Sequence, residues 1–175
     1  MISNIDNIRE VASKDQYITE IKVFTDSLIG QDKAKALFLV KTLFFAPETH
    51  PKVRYIIAER MGKVGQKQLF QQLLSYFILR KFPDTVSLIA ALKSFGDPES
   101  APALIAYYPQ ATFNESLEII DALSTSQSPE SLEFLSGVYN EQVEQNPEFS
   151  RSEIEEIRQQ ATLAMGKGMM RFDFF

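Results

Sequence analysis

The chain has 175 residues and a formal net charge of −5, and it contains one histidine, no cysteine and no tryptophan. This length suits one domain or one short repeat array, and it is large enough to bury a core without disulfides or metals. The lack of cysteine excludes disulfides, thiolate nucleophiles and cysteine-ligated metal centres. The single histidine leaves no basis for a histidine-rich metal site. We therefore expect no cofactor, no metal and no catalytic residue, which favours a protein without enzymatic activity.

The first residues, Met1 to Arg9, mix polar and charged side chains and contain no apolar core of signal-peptide length. No stretch approaches the roughly 18 apolar residues of a membrane-spanning helix. The richest patch, residues 36–46, is interrupted by Lys41 and Thr42. The sequence therefore predicts a cytoplasmic protein that does not associate with membranes.

Apolar residues recur at intervals of three and four along the chain, which is the period of an amphipathic helix. In chain order, the clearest sets are Ile18, Ile21, Phe24 and Leu28, then Leu37, Val40, Leu43 and Phe44, then Leu69, Leu73 and Phe77. Most glycines and prolines fall between such segments. No period-two alternation typical of strands is bounded by hairpin turns. The sequence predicts an all-α fold.

Three sites carry the signals of helix starts. Asp97-Pro98 and Ser128-Pro129 each place a capping oxygen before a proline at the first helical position. Residues 150–153, Ser-Arg-Ser-Glu, predict a capping box that opens the last long helix.

A shift of 31 residues aligns apolar residues of the middle of the chain. The best columns are Leu73, Leu104 and Leu135, then Met61, Leu92 and Leu123, then Ile57, Leu88 and Ile119. A shift of 104 matches residues 61–63, Met-Gly-Lys, to residues 165–167. A fixed period of this size indicates stacked two-helix repeats. We predict one repeat domain over residues 1–168, clearest over 51–140, followed by an apolar tail at 169–175.

The turn from Leu92 to Leu104, which contains Gly96-Asp97-Pro98-Glu99, resembles the inter-helix turn of HEAT-like repeats, particularly the short repeats also found in phycobilin lyases. Val53-Arg54, with the following Ala58 and Met61-Gly62, is similar to the first-helix pattern of that family. Thr85 and Ser116 depart from this pattern. The resemblance implies a right-handed α-solenoid of about four to five HEAT-like helix pairs, whose second helices line a binding surface. On those helices the expected outward columns are Gln72, Ala103 and Phe134, then Tyr76, Tyr107 and Val138.

Charge is distributed unevenly along the chain. Residues 33–93 carry 11 basic and three acidic side chains, whereas residues 94–165 carry two basic and 13 acidic ones. Because sequence position becomes axial position in a solenoid, this pattern predicts an electrically polar rod with two docking regions, one for an acidic partner and one for a basic partner. The alternative is that both regions are ordinary solvated faces.

These observations lead to the hypothesis of a non-catalytic protein–protein interaction adaptor that binds a protein with an acidic surface. Two tyrosines would act as anchors, because tyrosine offers a large, stiff contact area with a polar tip. The alternative for them is packing between repeats. The candidate partner-binding residues are Arg54, Lys63, Lys67, Gln72, Tyr76, Arg80, Lys81 and Tyr107.

Two other functions stay open. A phycobilin lyase-like protein would hold a linear tetrapyrrole in its groove, with the propionates on the basic region and the receiving cysteine on another protein. A DNA-binding HEAT-like protein would use the same basic residues on phosphates, although the acidic region would repel the nucleic acid.

The C-terminal tail has five large apolar side chains in seven residues. Phe172, Phe174 and Phe175 would either cover the open edge of the last repeat or dock onto a partner. A second copy of this chain is one such partner, which would give a homodimer.

Overall fold

The computed structural model describes residues 7–126 and 128–172, with side chains as far as residue 166. Within these ranges the protein has eleven α-helices and no strand, which confirms the predicted all-α fold. The helices are α1 (Ile8–Ala12), α2 (Ile18–Gln31), α3 (Lys33–Phe45), α4 (Pro51–Ala58), α5 (Met61–Val64), α6 (Lys67–Ile78), α7 (Thr85–Phe95), α8 (Ala101–Tyr107), α9 (Phe113–Ser126), α10 (Pro129–Tyr139) and α11 (Arg151–Phe172). Short 3-10 turns occupy Asp15–Tyr17, Pro98–Ser100 and Tyr108–Gln110.

The predicted helix starts are present. The Ser128 side chain accepts a hydrogen bond from the Ser131 amide at the start of α10. At the start of α11, the Ser150 amide donates to the Glu153 carboxylate (2.8 Å) and the Glu153 amide donates to the Ser150 hydroxyl (3.3 Å). Asp97 also caps the following turn, but Pro98 opens a 3-10 turn that leads into α8.

The helices form a row with a second set packed against it. Helices α2, α4, α7, α9 and α11 contact one another in that order. Helix α3 packs on α2 and α4, α6 on α7, α8 on α9, and α10 on α9 and α11. The three aligned columns predicted from the sequence lie in the core, where each of their residues is at most 1% exposed: Leu73, Leu104, Leu135, Met61, Leu92, Leu123, Ile57, Leu88 and Ile119.

Several side-chain hydrogen bonds between neighbouring helices join residues 30 or 32 positions apart, while others depart from this separation, such as Lys93 to Glu118 at 25 and Arg60 to Asp26 at 34. Arg54 bonds to Asp84, 30 residues away. The Gly62 amide bonds to Ser94 and the Thr125 hydroxyl to the Lys93 carbonyl, each 32 residues away. This separation is close to the shift that aligns the apolar columns in the sequence.

One predicted outward column is wrong at α10. Val138 is 1% exposed rather than outward-facing. Because α10 packs against both α9 and α11, the face that carries Val138 is covered. Phe134, from the other predicted outward column, is partly buried and packs on Tyr108, with ring centroids 5.0 Å apart.

The C-terminal tail lies largely outside the described residues. Helix α11 continues through Phe172, and the Phe172 side chain, Phe174 and Phe175 are not among the described parts. The predicted cap or docking role of these phenylalanines therefore stays a prediction.

Two searches of the described part of the chain have negative results. None of its helices combines the length and the apolar character needed to cross a bilayer. The same residues include no group of three His, Asp or Glu side chains placed to hold a metal ion.

Tyr108 is a buried phenol with a structural partner, and it makes the stability of the protein depend on alkaline pH. Its side chain is 1% exposed, and its hydroxyl donates to the Gln145 side chain (2.7 Å). Burial raises the pKa of Tyr108 to about 12. The neutral phenol therefore stabilises the fold fully below about pH 10, and this contribution is lost as pH rises through the folded pKa.

We expect Tyr108 to account for a loss of about 1.4 kcal/mol in the free energy of unfolding between about pH 8 and pH 11. Urea unfolding at the two pH values measures it. Tyr108→Phe should show a smaller loss by that amount, whereas Tyr139→Phe, at a half-exposed tyrosine, should behave as the parent. An identical loss in all three proteins would show that Tyr108 does not carry the effect.

Candidate functional site

Two adjoining pockets lie where the end of α6 and the loop after it meet α8. Their volumes are about 150 and 340 Å³. Both are lined by Phe77, Arg80, Tyr107 and Gln110. The smaller pocket is completed by Ile78, Ala103 and Ala106, and the larger by Tyr76, Phe82, Thr85 and Leu88. We refer to the two pockets together as the aromatic groove.

The backbone at the end of α6 places Arg80 in this groove. The Arg80 amide donates to the Phe77 carbonyl (3.1 Å), and the Lys81 amide donates to the Tyr76 carbonyl (3.0 Å). This pair of bonds is a Schellman motif, which requires a left-handed residue at the position of Arg80. Arg80 accordingly has φ 52°. The helix end thus turns the chain sharply and holds the arginine between the two pockets.

The aromatic rings of the groove contact one another. Phe77 and Tyr107 meet nearly edge to face, with ring centroids 5.2 Å apart, and the guanidinium carbon of Arg80 lies 5.6 Å from the Tyr107 ring centroid. Tyr76 packs beside Phe82 at 6.5 Å and Phe45 at 5.5 Å. Such contacts between aromatic rings and with a cation limit the freedom of these side chains.

The Tyr107 hydroxyl is fixed by a buried carboxylate. It donates to Glu115 at 3.3 Å, and Glu115 is 8% exposed. The same carboxylate accepts bonds from the amide (2.8 Å) and hydroxyl (3.0 Å) of Thr112, which caps α9. Burial and then the charge of Glu115 raise the pKa of Tyr107, so the phenol remains a neutral donor. The tyrosine ring is therefore oriented by the start of the next helix.

Three of the predicted partner-binding residues meet in the groove: Tyr76, Arg80 and Tyr107. Lys81 follows Arg80 and is exposed. Gln72 lies one turn before Tyr76 on α6 and is half-buried, and it does not line either pocket. Tyr76 and Tyr107 pack on rings of neighbouring helices, at Phe45 and Phe77, and also line the groove; their role as anchors for a partner stays a prediction.

Arg54 does not lie on a partner-binding surface, which corrects the prediction for this residue. It is 6% exposed, and its guanidinium donates to the carbonyls of Phe44 (3.1 Å) and Ala46 (2.9 Å) and to the Asp84 carboxylate (3.1 Å). An arginine whose donors are bound inside the fold has little to offer a partner. Arg54 joins the end of α3 to the start of α7.

Lys63 and Lys67 are exposed but paired within the chain. The Lys63 ammonium lies 3.6 Å from Asp26. Lys67 bonds to Asp97 (2.7 Å) and Glu99 (2.8 Å), and these bonds raise its pKa. Both lysines keep more than half of their side chains exposed, yet their charges are compensated locally.

The basic and acidic regions of the sequence pair with each other at other places too. Lys93 binds Glu118 (2.5 Å) and Asp121 (3.0 Å). Burial lowers the pKa of Lys93, but the two carboxylates outweigh it and the net shift is upward. The Arg60 guanidinium donates two hydrogen bonds to the Asp26 carboxylate, at 3.0 and 3.1 Å. Much of the predicted charge separation is therefore neutralised between neighbouring helices, and fewer cations are free for tetrapyrrole propionates or DNA phosphates.

Several groove residues were not predicted from the sequence as part of a binding site: Phe77, Phe82, Thr85, Ala106 and Gln110. Phe77 was assigned to packing between repeats. Phe82, which follows Arg80-Lys81 and precedes Pro83, offers a signal, because an aromatic residue in a short helix connection is unusual for a solvated turn. Its ring stacks on Phe44 at 4.8 Å.

Another pocket, of about 810 Å³, lies between the end of α10 and the start of α11. Its charged residues pair mainly with one another, since Arg158 lies 3.0 Å from Glu141 and 3.8 Å from Glu155. The aromatic groove, with its stiff rings and its arginine, is the better candidate site.

Comparison of the chain with family models, with curated proteins and with solved structures finds no match. The resemblance to HEAT-like repeats therefore stays a prediction.

Proposed function

We propose that this protein is a non-catalytic interaction module that binds a segment of a partner protein in the aromatic groove. The observation that carries the proposal is the meeting of Tyr76, Arg80 and Tyr107 in one recess. Tyrosine and arginine are the residue types, with tryptophan, that dominate the energetics of protein interfaces. Here they are held in place by ring contacts and by the Glu115 carboxylate.

The position of Arg80 supports this proposal. A left-handed conformation costs a residue with a side chain about 1–2 kcal/mol relative to glycine. Two other left-handed helix ends in this chain, after α5 and α7, carry glycine, Gly65 at φ 69° and Gly96 at φ 61°, whereas the one after α10 carries Glu141 at φ 59°. The left-handed backbone is thus shared with Glu141, and the support for a binding role comes from the position of Arg80 over the Tyr107 ring and between the two pockets.

We also infer that the helix pairs stack into a right-handed α-solenoid of the HEAT type. The order of contacts along the row from α2 to α11 and the hydrogen bonds at separations of 30 to 32 residues support it. In that architecture α6 and α8 are second helices of consecutive pairs. The aromatic groove would then be a junction between repeats, where such proteins offer extended binding surfaces.

Selection from a displayed library of random peptides tests the proposed function without a known partner. We expect enriched peptides to bind Tyr107→Ala at least about tenfold more weakly than the parent, because truncation of a central tyrosine removes an anchor. Tyr139→Ala is the matched control, since Tyr139 is half-exposed and does not line the groove. Its affinities should change by less than about twofold.

Thermal unfolding of each variant must first show a cooperative transition. Weaker peptide binding can then be attributed to the lost side chain and not to an unfolded protein. A selection that enriches no peptide, or only peptides that bind Tyr107→Ala as well as the parent, would count against the groove as a binding site.

A further inference from the structure

We infer that the occupant of the aromatic groove is a short acidic segment of a partner protein that carries large apolar side chains. This inference rests on the proposed function and specifies the chemistry of the partner. It follows from two features of the groove: its uncompensated positive charge and its division into two recesses.

Arg80, which lines the groove, and its neighbour Lys81 have no carboxylate partner in the described part of the chain. Arg80 and Lys81 are consecutive and exposed, and neither forms an ion pair with any residue of the described part. In contrast, Arg54, Arg60, Lys67 and Lys93 are each bound to carboxylates of neighbouring helices.

The acidic groups near the groove are already engaged. Glu115 accepts bonds from Thr112 and Tyr107, and Asp84 accepts from Arg54 and Ser87. A chain with a net charge of −5 thus has one cation without a carboxylate partner in the lining of the aromatic groove, Arg80, and the exposed Lys81 follows it in the sequence. Charge complementarity then favours an acidic occupant and repels a basic one.

The lining of the smaller recess favours an apolar side chain in the occupant, because it includes the methyl groups of Ala103 and Ala106 and the side chain of Ile78. The larger recess is lined by Phe82 and Leu88 but exposes mainly polar groups, among them Thr85 and Gln110. Arg80 and Tyr107 line both recesses and therefore stand at their junction.

An occupant that fills both recesses passes its backbone across the guanidinium at this junction. A carboxylate of the segment at that point can accept charge-assisted hydrogen bonds from the guanidinium.

Fluorescence anisotropy with synthetic peptides tests this inference. The probes are labelled peptides of about ten residues, with Leu and Phe at alternate positions or at helical spacing and Glu elsewhere. Each has a twin in which every Glu is Gln. We expect the acidic peptide of the better-binding spacing to bind the full chain, and its Gln twin to bind at least about tenfold more weakly.

Variants of the protein test whether Arg80 causes the preference for the acidic peptide. Arg80→Ala and Arg80→Gly should each weaken binding of the acidic peptide at least about tenfold. Arg80→Gly relieves the left-handed strain, so its loss of affinity cannot reflect unfolding. Arg151→Ala is the control of equal charge change, because Arg151 is exposed and lies outside the groove. It should change the affinity by less than about twofold.

The inference and the proposed function fail separately. Equal binding of the acidic peptide and its Gln twin, or unchanged binding to both Arg80 variants, overturns the acidic occupant. Groove-dependent peptides from the random library that are neutral or basic overturn it too, while they leave the proposed function standing. A peptide with the sequence of residues 169–175 is the last probe. If it binds in the groove more tightly than any acidic probe, the occupant is this chain's own C-terminal tail and not a partner protein.

Discussion

Replacement of Gly62 by alanine will lower the free energy of unfolding by about 3 kcal/mol, which corresponds to about 6–12 °C in Tm for a chain of this size. Gly62 lies in α5, where the backbone meets the end of α7. A Cβ atom at this position would lie 1.8 Å from the Ser94 carbonyl oxygen and 2.8 Å from the Phe95 amide nitrogen. These are backbone atoms, so no side-chain rotation relieves the clash.

The same substitution also disturbs a hydrogen bond between the two helices, because the Gly62 amide donates to the Ser94 hydroxyl at 2.8 Å. The matched control is Gly166→Ala. Gly166 stands in the same Met-Gly-Lys context, but an added Cβ there has no neighbour within 4 Å. Alanine inside a helix should leave stability unchanged or raise it by up to about 1 kcal/mol. Chemical denaturation of both variants gives the comparison, and similar losses in the two would refute the close approach at Gly62.

Replacement of Arg54 by methionine will cost about 3–5 kcal/mol of stability. Methionine fills much of the space but donates no hydrogen bond. The substitution leaves the Asp84 carboxylate and the carbonyls of Phe44 and Ala46 without their buried donor. Removal of one partner of a buried charge pair is strongly destabilising for this reason.

Arg151→Met is the control for the loss of one arginine, and because Arg151 is exposed it should change stability by less than about 0.5 kcal/mol. Arg54→Lys should lie between the parent and Arg54→Met, since a lysine keeps the charge but cannot present the planar fork of donors. If Arg54→Met were as stable as Arg151→Met, the buried bridge from α3 to α7 would be unimportant.

Local features of the fold could be predicted from the sequence, because they depend on neighbouring residues. The four-residue spacing of Leu69, Leu73 and Phe77 is the spacing of one buried face of α6. The capping box of Ser150 and Glu153 forms as its four-residue pattern predicts. The aligned columns identified core positions, since every residue of the three columns is buried.

Contacts between helices could not be predicted in the same way. Lys67 and Asp97 appear in the sequence as members of oppositely charged regions, and only the packing brings them to 2.7 Å. Arg54 cannot be told from a surface arginine in the sequence. In the fold it donates to the carbonyls of Phe44, at the end of α3, and Ala46, just after it. The charge distribution that suggested docking regions is largely a consequence of pairing between neighbouring helices.

The groove itself was predicted in part. Tyr76, Arg80 and Tyr107 were chosen for their residue types and repeat positions, and they meet. The left-handed backbone of Arg80 could not be expected, because glycine normally stands there. The open space beside Ala103 and Ala106 could not be expected from the sequence either, because it depends on the distance between helices rather than on either alanine.

The most direct test of the proposed binding site is a map of backbone amide chemical shifts while a peptide enriched in the random-library selection is titrated into the labelled protein. We expect the largest shifts between Tyr76 and Lys81 and between Ala103 and Gln110, because these two segments line the groove from opposite sides. Shifts of less than half that size should occur in α2 and α11. Shifts concentrated in α10 and α11, or spread evenly over the chain, would contradict a binding site in the aromatic groove.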